Sequence, residues 1–256
     1  MENYIFNENS LLHSIGFDVY KLYSILTNGI VSKQEAEKEN ISYSRNYFGY
    51  NFDNYISMTR YMYVNKDDEN SAYKKYALKG ISFIVEDQDF IYNTQDAYFN
   101  YSDEVFVKDK VELKNIKGII VPEKYMDYEI KDLPIISFKS ISYVNIKHTT
   151  DNIIKYLKFE GYNCDLEYYN DILREMYTTV EAIKKEPEDQ DLLNDFNDTK
   201  YYLDEYISLE IQKCFCKKFG VNNVTLGDVI NYINSKTCNL PIYKLPANYN
   251  VRWLLW

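Results

Sequence analysis

Apolar positions follow two different periods along the chain. Val19, Leu22, Tyr23 and Leu26 recur at i, i+3, i+4 and i+7, which predicts an amphipathic helix from Asp18 to Asn28, capped by Asp18 and ended by Gly29. Just upstream, Leu11-Leu12-His13-Ser14-Ile15 is a short apolar run closed by Gly16 and predicts a buried strand that carries one histidine. Tyr55 to Met62 alternates with period two. Ile56, Met58 and Arg60 fall on one face of that strand, and Tyr55, Ser57 and Thr59 on the other. Gly80 to Val85, Glu104 to Val107 and Ile116 to Val121 are further β-rich runs, the last stopped by Pro122. Pro134 to His148 reads as a strand pair or one long bent strand. The polar segment after Ile30 lacks a persistent period and predicts a long surface loop.

From Thr150 the period changes. Asp151 to Glu160, Asp165 to Lys185 and Leu192 to Phe219 show helical spacing, and Thr225 caps one more short helix through Ile233. Pro187, flanked by Glu186, Glu188 and Asp189, marks a loop between two of these helices. The expected architecture is α+β: a strand-rich core over residues 1–150 and a helical C-terminal subdomain over 151–256.

With 256 residues the chain buries roughly three quarters of its unfolded surface without disulfide staples. Its 29 basic and 39 acidic residues give a net charge of −10, which opposes loose attachment to nucleic acid or an anionic membrane and favours a protein or small-molecule partner. Cys164, Cys214, Cys216 and Cys238 lack zinc-knuckle or redox-pair spacing, and only His13 and His148 stand beside them, so no metal site is expected. No window approaches the ~18 apolar residues of a membrane span. The start, MENYIFNENSLL, does not read as an ordinary secretory signal, and a soluble, reduced protein is expected, in the cytoplasm or delivered to a target cell by a signal-independent route. The chain has no dinucleotide-binding or phosphate-binding glycine motif and no nucleophile elbow, which counts against dehydrogenases, nucleoside triphosphatases and serine hydrolases.

Three segments, taken in order, carry more information than any one alone. They are Leu12-His13-Ser14-Ile15 with the turn Ile25-Leu26-Thr27-Asn28-Gly29-Ile30, the hydroxyl-bearing strand Tyr55-Ile56-Ser57-Met58-Thr59-Arg60, and Asp103-Glu104-Val105-Phe106-Val107-Lys108 followed by Ile116-Lys-Gly-Ile-Ile-Val-Pro122. Together they resemble the ADP-ribosyltransferase superfamily, including bacterial toxins and DarT-type modifiers, over roughly residues 11–122. The resemblance implies a split antiparallel sheet that binds NAD, with Glu104 as the catalytic carboxylate. It implies NAD contacts from His13, Ser14, Ile15, Gly29, Tyr55, Ser57, Thr59 and Arg60, with an aromatic ring against the nicotinamide. Tyr55 competes with Tyr47 and Tyr50 for that last role, and Arg60 is either a contact to the dinucleotide phosphates or a surface strand charge. Where many members have His-x-Thr, this chain has His13-Ser14-Ile15, so the hydroxyl would come from Ser14. Ser102 stands where arginine-directed toxins carry Glu or Gln, which argues against arginine as the acceptor. Asp103 and Glu104 point to opposite faces of an extended strand, and the family pattern selects Glu104.

The function so implied is mono-ADP-ribosyl transfer from NAD to a protein acceptor by a toxin or effector. Its alternatives are a DarT-like modifier of nucleic acid, and a non-enzymatic interaction protein that retains the fold and binds through its helical half, where an activating or regulatory partner of the enzyme is also expected.

Overall fold

The computed structural model describes residues 10–39, 53–60, 80–92, 104–136 and 143–245. Two compact units divide the chain: Met1–Gly16, Lys21–Asp127 and Ile230–Trp256 form one, and Phe17–Tyr20 with Tyr128–Val229 form the other. This differs from the expected division at residue 150, because the chain's C-terminal part returns to the first unit.

The sheet unit combines strands with helices, in keeping with an α+β chain. Its strands are β1 (Leu11–Gly16), β2 (Ile30–Val31), β3 (Tyr55–Arg60), β4 (Ile81–Val85), β5 (Ile91–Tyr92), β6 (Glu104–Lys108), β7 (Lys110–Val111), β8 (Ile116–Pro122) and β9 (Ile242–Leu245). Seven of them form one sheet in the order β5-β6-β3-β1-β4-β8-β9, and β2 pairs with β7 as a separate ribbon. Every pairing in the seven-stranded sheet is antiparallel except β8 with β9, which is parallel. Apolar side chains on both faces explain the continuous burial of β4, where Ile81, Phe83, Ile84 and Val85 are all enclosed.

The central ladder is incomplete at one place. β3 pairs with β6 through five residues, from Tyr55↔Lys108 to Thr59↔Glu104, and β1 pairs with β4 from Leu11↔Val85 to Gly16↔Ile81. Between β1 and β3, however, only Leu11↔Arg60 and Leu12↔Thr59 are in register. β1 therefore leaves β3 after Leu12 and follows β4 alone, opening the sheet between His13 and Ser57. The register of β1 also shifts between Ser14 and Gly16. There Gly16 lies so near Gly80 that a Cβ on Gly80 would come within 2.4 Å of its Cα.

Helix α1 (Val19–Asn28) forms where its apolar spacing predicts. Gly29 ends it at φ +85°, with its N–H on the Ile25 carbonyl at 2.9 Å. A Cβ at Gly29 would stand 2.2 Å from the Val111 carbonyl oxygen, so this position accepts only glycine.

Three expected features are corrected. Part of the supposed loop after Ile30 is helix α2 (Lys33–Glu39), which shows no apolar period because Ala36 is its one buried residue; the Ser32 hydroxyl accepts from Glu35 N–H at its start. The second half of the β-rich stretch to His148 is helical, opening α4 (Tyr143–Phe159) after the short α3 (Glu123–Met126). Ile146, Thr149, Thr150, Ile153 and Leu157 are buried at 3-1-3-4 spacing, a helical stripe that overrides the β-branched content of its first turn. Finally, β9 places a strand in the C-terminal region expected to be helical throughout.

The helical unit contains α4, α5 (Leu166–Ile183) and α6 (Gln190–Phe219). Asp165 and Asp189 each accept two backbone N–H groups as N-caps of α5 and α6. Helix α7 (Leu226–Lys236) begins with a capping box, in which Asp228 N–H donates to the Thr225 hydroxyl and the Asp228 carboxylate accepts from Thr225 N–H. Among the described residues, no helix is long and apolar enough to cross a membrane.

Candidate active site

Strand alternation and register decide which side chains meet. Thr59 lies directly opposite Glu104 and Ser57 opposite Phe106, so Glu104 shares a face with Tyr55, Ser57 and Thr59. Ser57 is the diagonal neighbour of Glu104 on that face, and its hydroxyl donates to Glu104 Oε1 at 2.5 Å. Both residues are half-buried.

The opening between β1 and β3 brings His13 to the same serine from the other side. His13 lies opposite Phe83 and alternates away from Leu12 and Ser14. Its Nδ1 is 3.2 Å from the Ser57 carbonyl oxygen, in the stretch where β1 no longer pairs with β3. A carbonyl only accepts, so Nδ1 carries the hydrogen and Nε2 of the neutral ring is an acceptor. Burial pushes His13 down from 6.5 to about 4; the bond to Ser57 opposes that shift and the positive charge of Lys21 adds to it. His13 is consequently neutral at physiological pH.

Ser57 thus joins Glu104 through its side chain and His13 through its backbone, across three adjacent strands. Thr59 stands beside the pair. Tyr55 packs edge-on against Phe106, with ring centroids 6.4 Å apart. The Ser14 hydroxyl bonds that of Ser82 at 2.7 Å, one strand further into the sheet.

The other expected contacts are not part of this group. Ile15 is enclosed in the core. Gly29 is accounted for by its backbone conformation and its approach to β7. Arg60 alternates to the face opposite Thr59 and lies over the Phe90 ring at 5.4 Å. Tyr47, Tyr50 and Asp103 lie outside the described residues. Ser82 was not anticipated, although a lone hydroxyl in the apolar run Ile81-Ser-Phe-Ile-Val85 marks it in the sequence. Lys21 was also missed; it is a buried cation on α1 whose charge adds to the lowering of His13.

Chemically, the Glu104 face offers a carboxylate held by a hydroxyl and further hydroxyls from Thr59 and Ser14, while the neutral imidazole of His13 alternates to the face of Arg60, because Leu12 pairs with Thr59, and reaches Ser57 at its backbone carbonyl. Compared with known protein families, with characterised proteins and with solved structures, the chain matches none.

Proposed function

We propose that this chain is a mono-ADP-ribosyltransferase that uses NAD as donor and a protein as acceptor. The observation that carries the reading is the Glu104–Ser57–His13 connection across β6, β3 and β1, at the point where the sheet opens. The three segments that resemble the superfamily in sequence are far apart along the chain, and their key polar residues are the ones joined here.

In the proposed reaction the bond between ribose C1′ and the nicotinamide nitrogen breaks, and its electron pair leaves with neutral nicotinamide. Positive charge develops at C1′ and O4′. Glu104 stabilises that charge and orients a ribose hydroxyl, and an acceptor nucleophile that gives up a proton forms the new bond to C1′. The Ser57 hydroxyl fixes the carboxylate so that it is already oriented when charge develops. His13 Nε2 accepts from a ribose hydroxyl, a role that requires the neutral ring. Thr59 supports the Glu104 face, and Tyr55 supplies an aromatic surface for the nicotinamide.

The purified chain is tested with NAD labelled in its ADP-ribose half, against a cell lysate and against DNA and RNA in parallel. Label on protein supports this reading, label on nucleic acid supports the DarT-like alternative, and no label on any acceptor favours the non-enzymatic interaction protein.

A further inference from the structure

Three serines lie in one row across the sheet. Leu12 pairs with Thr59, so two residues further along the antiparallel strands Ser14 falls level with Ser57, at the place where β1 and β3 have parted. On its other side Ser14 pairs with Ser82 of β4. Directly paired residues share a face, which puts Ser57, Ser14 and Ser82 on the face of Glu104. The row divides at the opening: the Ser57 hydroxyl is bonded to Glu104 on one side, and the Ser14 hydroxyl to that of Ser82, at 2.7 Å, on the other.

Ser82 is an unusual residue for its place. It is 0% exposed in a strand whose other four members are apolar and buried. A β-branched apolar side chain packs better there, and an enclosed hydroxyl gains little, since its bond only replaces one to water. Ser14, by contrast, is half-buried and weakly fixed by its own strand. Its neighbour on the β3 side is lost after Leu12, and its register with β4 shifts between Ser14 and Gly16, an irregularity of the kind that re-aims side chains. The bond to Ser82 is what orients its hydroxyl. Ser82 is itself a fixed point, because the close approach of Gly80 to Gly16 locks the start of β4 against the end of β1.

We propose that Ser82 is a positioning residue for the NAD site: it holds the Ser14 hydroxyl at the opening, across from the Glu104–Ser57 pair, where Ser14 bonds a ribose hydroxyl of the dinucleotide. The inference rests on the NAD reading above and adds to it a residue that does not touch the ligand. A bond between two hydroxyls uses one of their two hydrogens and leaves both oxygens able to accept. Since Ser82 is enclosed and Ser14 is half-buried, a third group meets Ser14. A neutral hydroxyl pair suits a sugar hydroxyl, which both donates and accepts, better than a phosphate, which favours charged donors. Fixing Ser14 before the ligand arrives removes the cost of ordering that side chain on binding, so the effect falls on affinity for NAD and not on bond cleavage.

The test is a double-mutant cycle on the full chain, in which Ser14→Ala, Ser82→Ala and S14A/S82A are compared by nicotinamide release from NAD in the presence of an acceptor lysate, with thermal melts alongside. Ser82→Ala is expected to raise the KM for NAD about fivefold with kcat within about twofold, and Ser14→Ala to raise it about tenfold. The double variant should match Ser14→Ala, because Ser82 acts only through Ser14. Ser82→Cys, whose thiol is still a weak donor, should raise KM less than Ser82→Ala does. A Ser82 that served the fold alone would lower the melting temperature and leave the KM of the folded protein unchanged. A KM for Ser82→Ala within about twofold of the unaltered chain, or a double variant near the roughly fiftyfold product of the single effects, overturns the proposal and leaves the NAD reading standing. An unaltered chain that releases no nicotinamide overturns the NAD reading and this proposal with it.

Discussion

The hydroxyl of Ser57 donates to Glu104 Oε1 at 2.5 Å while the carbonyl of the same residue accepts from His13 Nδ1 at 3.2 Å. One residue on β3 therefore orients a carboxylate on β6 and an imidazole on β1. It can do both because β1 and β3 part after Leu12, leaving the Ser57 carbonyl for a side chain instead of a ladder N–H.

Ser57→Ala removes only the bond to Glu104, since the carbonyl remains. It is expected to lower kcat for nicotinamide release by about tenfold to a hundredfold with little change in the KM for NAD, while costing about 1 kcal/mol of stability. Ser57→Thr, which keeps the hydroxyl, should restore most of kcat. Steady-state kinetics beside a thermal melt separate this pattern from simple loss of fold.

His13 makes stability depend on pH in a definite direction. Its folded-state value of about 4 lies below the unfolded 6.5, so between those values the unfolded chain binds the extra proton and stability falls as pH drops. The loss amounts to at most about 3 kcal/mol. Replacing it by His13→Gln should flatten that part of the pH dependence measured by denaturant unfolding at pH 4 to 7, and should raise the KM for NAD.

Asp204 acts with the opposite sign. Burial raises its carboxyl from 3.8 to about 6, against the bond it accepts from the Ile136 N–H at 2.6 Å. The folded chain then binds the extra proton between those values, and stability falls as pH rises through the window, by at most about 3 kcal/mol. Asp204→Asn should remove this slope and leave the His13 contribution exposed, so that the variant loses stability on acidification more steeply than the unaltered chain.

Gly29→Ala places a side chain at φ +85° and 2.2 Å from the Val111 oxygen. A cost of about 2–4 kcal/mol is expected. Calorimetric melting checks this. The loss should appear in stability, with NAD affinity of the folded protein unchanged.

Much of this arrangement is legible in the sequence because it rests on local periods. The alternation of Tyr55, Ser57 and Thr59 puts three hydroxyl-bearing side chains on one face, and the apolar spacing of α1 with Gly29 marks its length and end. The parting of β1 from β3 is not legible, because strand register is set by pairing between segments more than forty residues apart. For the same reason β9 is hidden: four residues joining an edge in parallel carry no alternation of their own. Helix α4 is misread at its start since Val144 and Ile146 resemble a strand until the stripe is followed to Leu157. Arg60 shows the limit of grouping by sequence proximity, as one residue's step from Thr59 carries it to the other face of the sheet.

The central claim is that Glu104, positioned by Ser57, stabilises the charge that develops as nicotinamide leaves NAD. The direct measurement is the rate of nicotinamide release by the unaltered chain and by Glu104→Gln, with NAD affinity determined alongside. The amide keeps the volume and one acceptor while losing the charge, so release should fall by about 10²–10³ with affinity held within about tenfold. Equal release by the two proteins, or none by the unaltered chain in the presence of a competent acceptor lysate, would contradict the account.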